Sequence, residues 1–439
     1  MRFCSLLSQS AYVVERMDAN MQQKAPIPKD YIKKFEQLGF GMFVHFGLYS
    51  QLNSGEWRYG FMKEENGTPF SEYAKLRDTF NVGSMAEIVS VAKSAGCKYI
   101  CLTTRHHEGF SLYDTKGLTD FDVMHSPTGR DLVKEFVEEC RKNDIVPFFY
   151  HTTLDWYNPD FYNDFPSYLE YLNRSVEILC TEYGEIGGLW FDGNWSKPDD
   201  DWHEDVLYGI IRKNQPKAMI INNTGLSKRG ELGAAKEIDA VTYERGMPSA
   251  VDQTGREKYV AGEMCETLYD HWGAADDINF KSVTTLIEEL CECRKVGANF
   301  LLNIGPDADG SVSNMQKGTM ECIGRWMQIY GKSIYNGRPF LTYEHTRDFL
   351  LRDIEDEKTA YLFHFNPGSA KGNANVSLSF NEESAISFDK LPSEILSAKW
   401  MDSNVDIPFE QTDDTAKFNF IGYHYGRSLC LRVAEIKFK

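Results

Sequence analysis

Short, almost continuously apolar segments alternate with longer amphipathic segments along most of this chain of 439 residues. The apolar segments are typical of strands and lie at residues 41–46, 99–104, 146–151, 188–192, 219–223, 239–243 and 299–304, with a further one near 259–263. Buried strands that are separated by helices indicate a parallel sheet covered on both faces.

The segments between the strands repeat their apolar residues every three or four positions, as amphipathic helices do. In residues 85–95, for example, Ile88, Val91 and Ala92 fall on one stripe. About eight strand–helix units in a chain of this length favour a closed (β/α)₈ barrel with a small second domain. A doubly wound open sheet is the alternative fold, but no GxGxxG sequence follows any of the strands.

The pattern changes after a helix predicted at residues 316–330. Short alternating segments at residues 359–365, 375–380, 386–391 and 428–433 are separated by Gly, Asn, Asp and Pro, which is typical of an antiparallel β domain. We therefore predict an N-terminal arm over residues 1–30, the barrel over residues 31–336, and a small C-terminal antiparallel β-sandwich over residues 337–439.

The net charge and the composition of the chain limit the kinds of molecule that it is expected to bind. The formal net charge is −18, and such a surface repels nucleic acid and anionic membranes but does not penalise a neutral glycan. Aromatic residues make up 13% of the chain. Aromatic rings stack on the apolar faces of sugars, although a large core would account for this content equally well.

The cysteines and the N-terminal residues indicate in which cellular compartment the protein is expected. The ten cysteines are scattered, with no CxxC pair and no metal-ligand spacing, which predicts reduced, buried thiols. The first ten residues lack a sustained apolar run, and Glu15 and Arg16 follow soon after, so we expect no signal peptide and no membrane span. These features predict a cytoplasmic location. We expect no cofactor, and the oligomeric state stays open.

Polar and aromatic residues follow the first four predicted strands. They occur in VHFGLYS from Val44, in TRHHEG from Thr104, in the stretch from Tyr150 to Trp156, and in WFDG from Trp190. The C-terminal ends of barrel strands meet at one rim, where barrel enzymes place their catalytic groups. One such strand end would be unremarkable, but four together predict an active site.

Asp192 is the strongest single candidate for a catalytic residue. A carboxylate that directly follows Trp190 and Phe191 would lie at the floor of a pocket. Retaining glycosidases use one carboxylate to attack the anomeric carbon and a second carboxyl, about 5–5.5 Å away, to protonate the leaving oxygen. Asp192 could supply one of these two carboxyl groups, and the alternative is an aspartate that caps a turn or helix before Gly193.

The histidines at these strand ends can exchange hydrogen bonds with sugar hydroxyls. His106 and His107 would point in opposite directions on an extended segment, so they are unlike a pair that binds one metal ion. The chain has no HxH or HxxxH sequence, and we expect no metal site. Each histidine taken singly could instead be a core residue.

Several segments together resemble the α-L-fucosidases of glycoside hydrolase family 29. The resemblance covers residues from about Phe40 to Pro339, with a β domain after it as in that family. The segments that carry it are GMFVHFGLYS from Gly41, GEW from Gly55, KYICLTTRHHEGF from Lys98, FDVMHS from Phe121, GLWFDG from Gly188, NFLLNIGPDADG from Asn299, and GKSIYNGRP from Gly331.

The resemblance implies a retaining exo-glycosidase that removes terminal α-linked fucose from oligosaccharides through a covalent intermediate on Asp192. It implies that fucose is bound by His45, Glu56, Trp57, His106, His107 and Tyr150, that Trp272 lines the pocket, and that Glu263 positions the substrate. The family also has a substrate-binding arginine after the fifth strand, for which Arg229 is the candidate here. Gly262 precedes Glu263 where the family often has a tryptophan.

The general acid/base is best assigned to Glu244, which lies just beyond the sixth strand, where the family often has this residue. Glu263 is the second candidate and Glu237 a third. Burial beside Tyr243 would raise the pKa of Glu244 into a useful range, whereas a facing Arg245 would lower it.

Two other functions stay open. The first is another retaining exo-glycosidase, such as a galactosidase, which a panel of aryl glycosides would distinguish. The second is a catalytically inactive glycan-binding protein, which the presence of both Asp192 and Glu244 argues against. The sequence does not indicate the preferred fucosyl linkage or leaving group.

Overall fold

The computed structural model describes residues 25–343, 346–365, 384–420 and 429–439. Residues 1–24 of the predicted arm and the strand predicted at residues 375–380 lie outside the described residues. Residues 25–29 carry no helix or strand, and the first helix starts at Asp30.

Eight parallel strands form a closed barrel, in which neighbours pair in chain order and the last strand pairs with the first. The strands are β1 (Phe40–Val44), β2 (Tyr99–Arg105), β3 (Val146–Thr152), β4 (Gly188–Asp192), β5 (Met219–Asn222), β6 (Ala240–Glu244), β7 (Ala261–Thr267) and β8 (Asn299–Ile304). The predicted barrel is confirmed. Nearly every strand residue is buried, which explains the continuous apolar runs.

Helices cover the outside of the barrel over most of its circumference. The α-helices of the described chain are α1 (Asp30–Leu38), α2 (Arg58–Asn66), α3 (Phe70–Tyr73), α4 (Ala86–Ala95), α5 (Leu132–Lys142), α6 (Asp160–Asn163), α7 (Phe165–Thr181), α8 (Glu204–Asn214), α9 (Val283–Lys295) and α10 (Asn314–Asn336). Of these, α1 packs Ile32 and Phe35 against the interior of the barrel and not its outside. Residues 223–239 and 245–260, all of them described, contain no α-helix. The connections from β5 to β6 and from β6 to β7 are therefore loops.

The seventh strand lies further along the chain than the sequence indicates. It spans Ala261–Thr267, whereas the prediction placed it near residues 259–263. The strand contains Glu263 and Glu266, and these buried polar residues interrupt the apolar pattern on which the prediction depended. Glu263 is therefore an interior residue of β7 and is level with Asn299, the first residue of β8.

Two antiparallel sheets follow α10, as predicted. They are built from β9 (Gly337–Thr342), β10 (Phe349–Asp353), β11 (Thr359–His364), β12 (Ser384–Phe388), β13 (Ile395–Trp400), β14 (Phe409–Thr412), β15 (Thr415–Phe420) and β16 (Arg432–Phe438). The strand orders are β13-β16-β11-β10-β9 and β12-β15-β14. Leu362 and Ile436 of the first sheet share a core with Phe388 and Phe418 of the second, which is the packing of a sandwich.

The prediction of buried cysteines holds for most of those described, but Cys322 is exposed and Cys430 is half-buried. The nine that the structure describes are all free thiols, and seven of them are buried. Within the described part of the chain, no helix combines the length and the apolar character needed to cross a bilayer.

Candidate active site

A cavity of about 550 Å³ opens at the C-terminal ends of the barrel strands. Nine of the ten site residues predicted from the sequence line it, namely His45, Glu56, Trp57, His106, His107, Tyr150, Asp192, Glu244 and Trp272. They come from separate strands and loops, and the barrel brings them together because all its strands end at the same rim.

Asp192 is the last residue of β4, and hydrogen-bond donors converge on both of its carboxylate oxygens. Its Oδ1 accepts from Nε1 of Trp195 at 2.8 Å and from Nδ2 of Asn223 at 3.2 Å. Its Oδ2 accepts from the Tyr150 hydroxyl at 3.1 Å. These donors fix the rotamer of Asp192 and stabilise its negative charge, as a preorganised nucleophile requires.

Asn223 also reaches the second carboxyl group. Its Nδ2 lies 2.8 Å from Oε2 of Glu244, the last residue of β6. The two accepting oxygens are therefore no further apart than the sum of the two distances from Nδ2, which is 6.0 Å. Retaining glycosidases hold their carboxyl groups about 5–5.5 Å apart, and inverting enzymes about 6.5–9.5 Å apart. This upper limit lies below the spacing of inverting enzymes and is compatible with that of retaining enzymes.

The surroundings of Glu244 favour its protonated form. Burial, followed by the negative charge of Asp192, raises the pKa of Glu244 to about 7, although the hydrogen bond from Asn223 acts in the opposite direction. The charge of Arg245 also lowers this pKa, but less than burial and Asp192 raise it; its guanidinium lies 5.3 Å from the centre of the Trp272 ring and donates to the backbone oxygen of Asp270. A carboxyl group with a pKa near 7 can donate a proton and take it back at neutral pH.

His45 and His107 are neutral at pH 7, because burial lowers the pKa of His45 to about 3 and that of His107 to about 4. Nδ1 of His45 lies 2.7 Å from the amide oxygen of Asn303 and must carry the proton. Nδ1 of His107 lies 2.7 Å from Thr152 Oγ1, which donates its own hydrogen to a backbone oxygen, so here too Nδ1 carries the proton. Each Nε2 is left as an acceptor for a sugar hydroxyl.

His106 and His107 lie on the same side of the chain, which corrects the expectation that they point in opposite directions. Their ring centres are 4.2 Å apart, and both line the cavity. The expectation assumed an extended segment, but β2 ends at Arg105 and the pair lies in the turn that follows. Among the described residues, no three His, Cys, Asp or Glu side chains are grouped so as to hold a metal ion.

Aromatic rings form much of the wall. The Trp57 ring, which is 38% exposed, lies 5.3 Å from His107 and 6.1 Å from Trp195 between centres. Across the cavity, Oε2 of Glu56 accepts from the backbone nitrogens of Trp272 and Gly273 at 3.1 and 2.9 Å. Glu56 thereby joins the loop after β1 to the loop after β7 and holds Trp272 in place.

Glu263 is the predicted site residue that does not line the cavity. It is 1% exposed, and its two oxygens accept from the Tyr99 hydroxyl at 2.5 Å and from Nε1 of Trp190 at 2.9 Å. The expectation that it contacts substrate is therefore corrected: it lies inside the barrel and supports Trp190, which does line the cavity. Glu237, the third acid/base candidate, pairs instead with Arg212 at 2.7 Å and is also absent from the cavity wall.

Arg229 does not line the cavity either, because its Nε donates to the backbone oxygen of Glu244. At the end of β5 the side chain that enters the site is that of Asn223. Sequence reasoning missed Asn223, although it directly follows β5 and the rule applied to the first four strand ends would have identified it. It also missed Trp195, whose place in the loop after β4 gave no such signal.

Comparisons with known proteins agree with this geometry. The sequence profile of the family described as Alpha-L-fucosidase matches residues 6–332. A putative alpha-L-fucosidase of Caenorhabditis elegans is 27% identical over 346 residues, covering 72% of this chain and 68% of that protein. The structure of alpha-L-fucosidase isoenzyme 1 from Paenibacillus thiaminolyticus superposes with a TM-score of 0.77 at 25% identity, covering 93% of this chain and 99% of that one.

A second similar structure is a trapped covalent intermediate of an alpha-L-fucosidase of glycoside hydrolase family 29 from Bacteroides thetaiotaomicron. It superposes with a TM-score of 0.77 at 24% identity, covering 94% of this chain and 97% of that one. The family match spans most of the barrel and includes each of the nine predicted residues in the cavity wall. This chain belongs to the α-L-fucosidase family.

Proposed function

We propose that this protein hydrolyses α-linked fucosides with retention of configuration, using Asp192 as the nucleophile and Glu244 as the general acid/base. The observation that carries the proposal is the pair of carboxyl groups that share Nδ2 of Asn223 and lie within 6.0 Å of each other. A terminal fucose fits a cavity of this size, which lies within the range of small-molecule sites.

In the first step the carboxylate of Asp192 attacks the anomeric carbon of fucose, and the bond to the leaving oxygen breaks. Glu244 gives its proton to that oxygen, so the alcohol leaves neutral and fucose stays attached to Asp192 as a β-linked ester. The remaining carboxylate of Glu244 then removes a proton from water, which attacks the same carbon and releases α-fucose. Two inversions leave the configuration unchanged.

The neutral histidines and the aromatic wall hold the sugar. Nε2 of His45 and Nε2 of His107 accept hydrogen bonds from fucose hydroxyls, and the rings of Trp57 and Trp272 pack against its apolar parts. Nε2 of His107 lies 3.5 Å from Oδ2 of Asp192. A hydroxyl bound there is next to the nucleophile, so its hydrogen bond can strengthen as charge develops at the neighbouring carbon.

The relatives support this chemistry. The similar Bacteroides thetaiotaomicron enzyme formed a covalent intermediate with 2-fluoro-fucosyl fluoride. The same reagent tests this protein directly. Incubation should inactivate it and add the mass of one fluorofucosyl group, and peptide mapping should place that group on Asp192. Full activity after prolonged exposure, or a label on another carboxyl group, would contradict the proposal.

A further inference from the structure

A second cavity of about 1100 Å³ lies on the flank of the barrel, beside β5. It lies between the loop that follows β4, helix α8, and the connection from β5 to β6. That connection contains no α-helix, and the groove lies between it and α8. We call this cavity the flank groove, and its volume slightly exceeds the usual range for small-molecule sites, about 300–1,000 Å³.

The flank groove shares part of its wall with the catalytic cavity. Four residues line both of them, namely Trp195, Asn223, Thr224 and Ser227. Trp195 donates to Asp192 and Asn223 donates to both carboxyl groups, so this shared wall lies next to the reacting centre. A saccharide attached to the oxygen that Glu244 protonates would leave the catalytic cavity close to this wall and could extend over it into the groove.

The lining of the groove suits a neutral saccharide. Acidic and basic side chains line it in nearly equal numbers, and several are already paired, such as Lys197 with Asp200 at 3.2 Å and Arg212 with Glu237 at 2.7 Å. Such paired groups offer hydrogen bonds to hydroxyls without favouring a charged ligand. Trp195, 38% exposed, adds an aromatic surface at the entrance.

The groove is also held in shape before any ligand binds. Oε1 of Glu204 accepts from Nδ2 of Asn194 at 2.7 Å and from Nδ2 of Asn222 at 2.9 Å. These bonds tie the loop after β4 to the end of β5 and to the first turn of α8. A preformed wall lowers the entropic cost of binding a flexible chain of sugars.

We propose that the flank groove binds the leaving-group saccharide, so that the substrates are fucosylated neutral oligosaccharides with an extended leaving group. This inference rests on the proposed function, because it assigns the leaving group of that reaction. An aryl fucoside uses only the catalytic cavity and its rim, whereas an oligosaccharide fills both.

Gly209 on α8 offers a direct test. It lines the groove but not the catalytic cavity, and a Cβ built on it would meet no other atom within 4 Å. Gly209→Trp should therefore obstruct the groove without strain at the backbone. The matched control is Gly209→Ala, which makes the same change from glycine in the helix but leaves the groove open.

The measurement compares kcat/KM on an aryl α-L-fucoside and on a neutral fucosylated oligosaccharide. Gly209→Trp should lower the value for the oligosaccharide about tenfold or more and leave the aryl fucoside within about twofold, while Gly209→Ala changes neither. The defucosylated oligosaccharide should inhibit aryl hydrolysis by the wild type and inhibit the Trp variant at least about tenfold less. If the Trp variant does not fold, Gly209→Leu is a smaller obstruction with the same expected direction.

Equal rates of oligosaccharide cleavage by the wild type and a folded Gly209→Trp variant would overturn the groove assignment and leave the proposed function intact. Equal losses on both substrates would also overturn it, because the obstruction would then act on the catalytic cavity. If the wild type releases fucose from neither substrate, the proposed function itself is wrong.

Discussion

Asp192 and Glu244 accept hydrogen bonds from the same nitrogen atom, Nδ2 of Asn223. The orientation of that amide is fixed, because its Oδ1 accepts from the Thr242 hydroxyl at 3.0 Å and from the Gly225 backbone nitrogen at 3.3 Å. A neutral donor thus holds two carboxyl groups close together without placing a positive charge between them. A cation at this position would favour the ionised form of Glu244 and weaken it as an acid.

Removal of the proposed nucleophile, Asp192, should abolish turnover. Asp192→Gly is expected to lower kcat on an aryl fucoside on the order of 10³-fold or more, because the covalent route is lost. Added azide should restore cleavage and give β-fucosyl azide, since a small anion can enter the vacated space. Asp199→Gly, on the exposed part of the neighbouring loop, is the control and should keep wild-type activity. Near-normal turnover by the Asp192 variant would refute the assignment.

The spacing of the two carboxyl groups predicts the configuration of the product. Proton NMR of the reaction during its first minutes should show α-fucose before mutarotation produces the β anomer. If β-fucose appears first, the enzyme inverts, a water molecule lies between the two carboxyl groups, and the two-step mechanism fails.

The acid/base role of Glu244 predicts a dependence on the leaving group. Glu244→Ala should barely slow formation of the intermediate from a dinitrophenyl fucoside, which needs no proton, but should slow cleavage of a natural disaccharide about 10²–10⁴-fold. Azide should here give α-fucosyl azide, because Asp192 still forms the intermediate. Glu263→Ala is the contrast: as a buried support of Trp190 it should affect both substrates alike, without azide rescue. If instead Glu263→Ala shows the dependence on the leaving group and Glu244→Ala does not, Glu263 is the acid/base and Glu244 is not.

The raised pKa of Glu244 predicts the basic side of the pH profile. The acid must be protonated to act, and its pKa is about 7, so kcat/KM on a disaccharide should fall above pH 7, about tenfold per pH unit. The hydrogen bond from Asn223 lowers the pKa of Glu244, so Asn223→Ala should move this fall to higher pH while reducing kcat. If the basic side of the pH profile of Asn223→Ala stays at the wild-type pH or moves to lower pH, Asn223 does not lower the pKa of Glu244.

The burial of Glu263 predicts a dependence of stability on pH. Burial raises its pKa from 4.5 to about 7, so between these values the folded protein holds a proton that the unfolded chain has released. This group therefore lowers the free energy of unfolding as the pH rises from about 4.5 to 7. Glu263→Gln keeps the neutral shape and removes the titration, so its urea midpoint should fall less than that of the wild type over the same range. Parallel pH dependences would mean that Glu263 stays ionised in the folded state.

Much of the fold and of the site could be predicted from local patterns. The apolar strands and the amphipathic helices predicted the barrel, because each pattern reports which face of a segment is buried. Catalytic groups are expected at the C-terminal ends of barrel strands, and this expectation together with the family resemblance predicted nine residues of the cavity wall. The predicted position of β7 was wrong. A glutamate in a sequence usually indicates that a buried strand has ended, but Glu263 is buried inside the barrel and hydrogen-bonded there.

The sequence by itself determined which residue types stand at each strand end, and so which could do the chemistry. Only the tertiary structure decided which of them meet. Glu244 and Glu263 are both glutamates on neighbouring strands, and one lines the cavity while the other is sealed beneath Trp190. Likewise, Asn223 bridges two carboxyl groups because β5 lies between β4 and β6 in the closed barrel. Register and strand order arise from contacts between distant parts of the chain, and no local pattern encodes them.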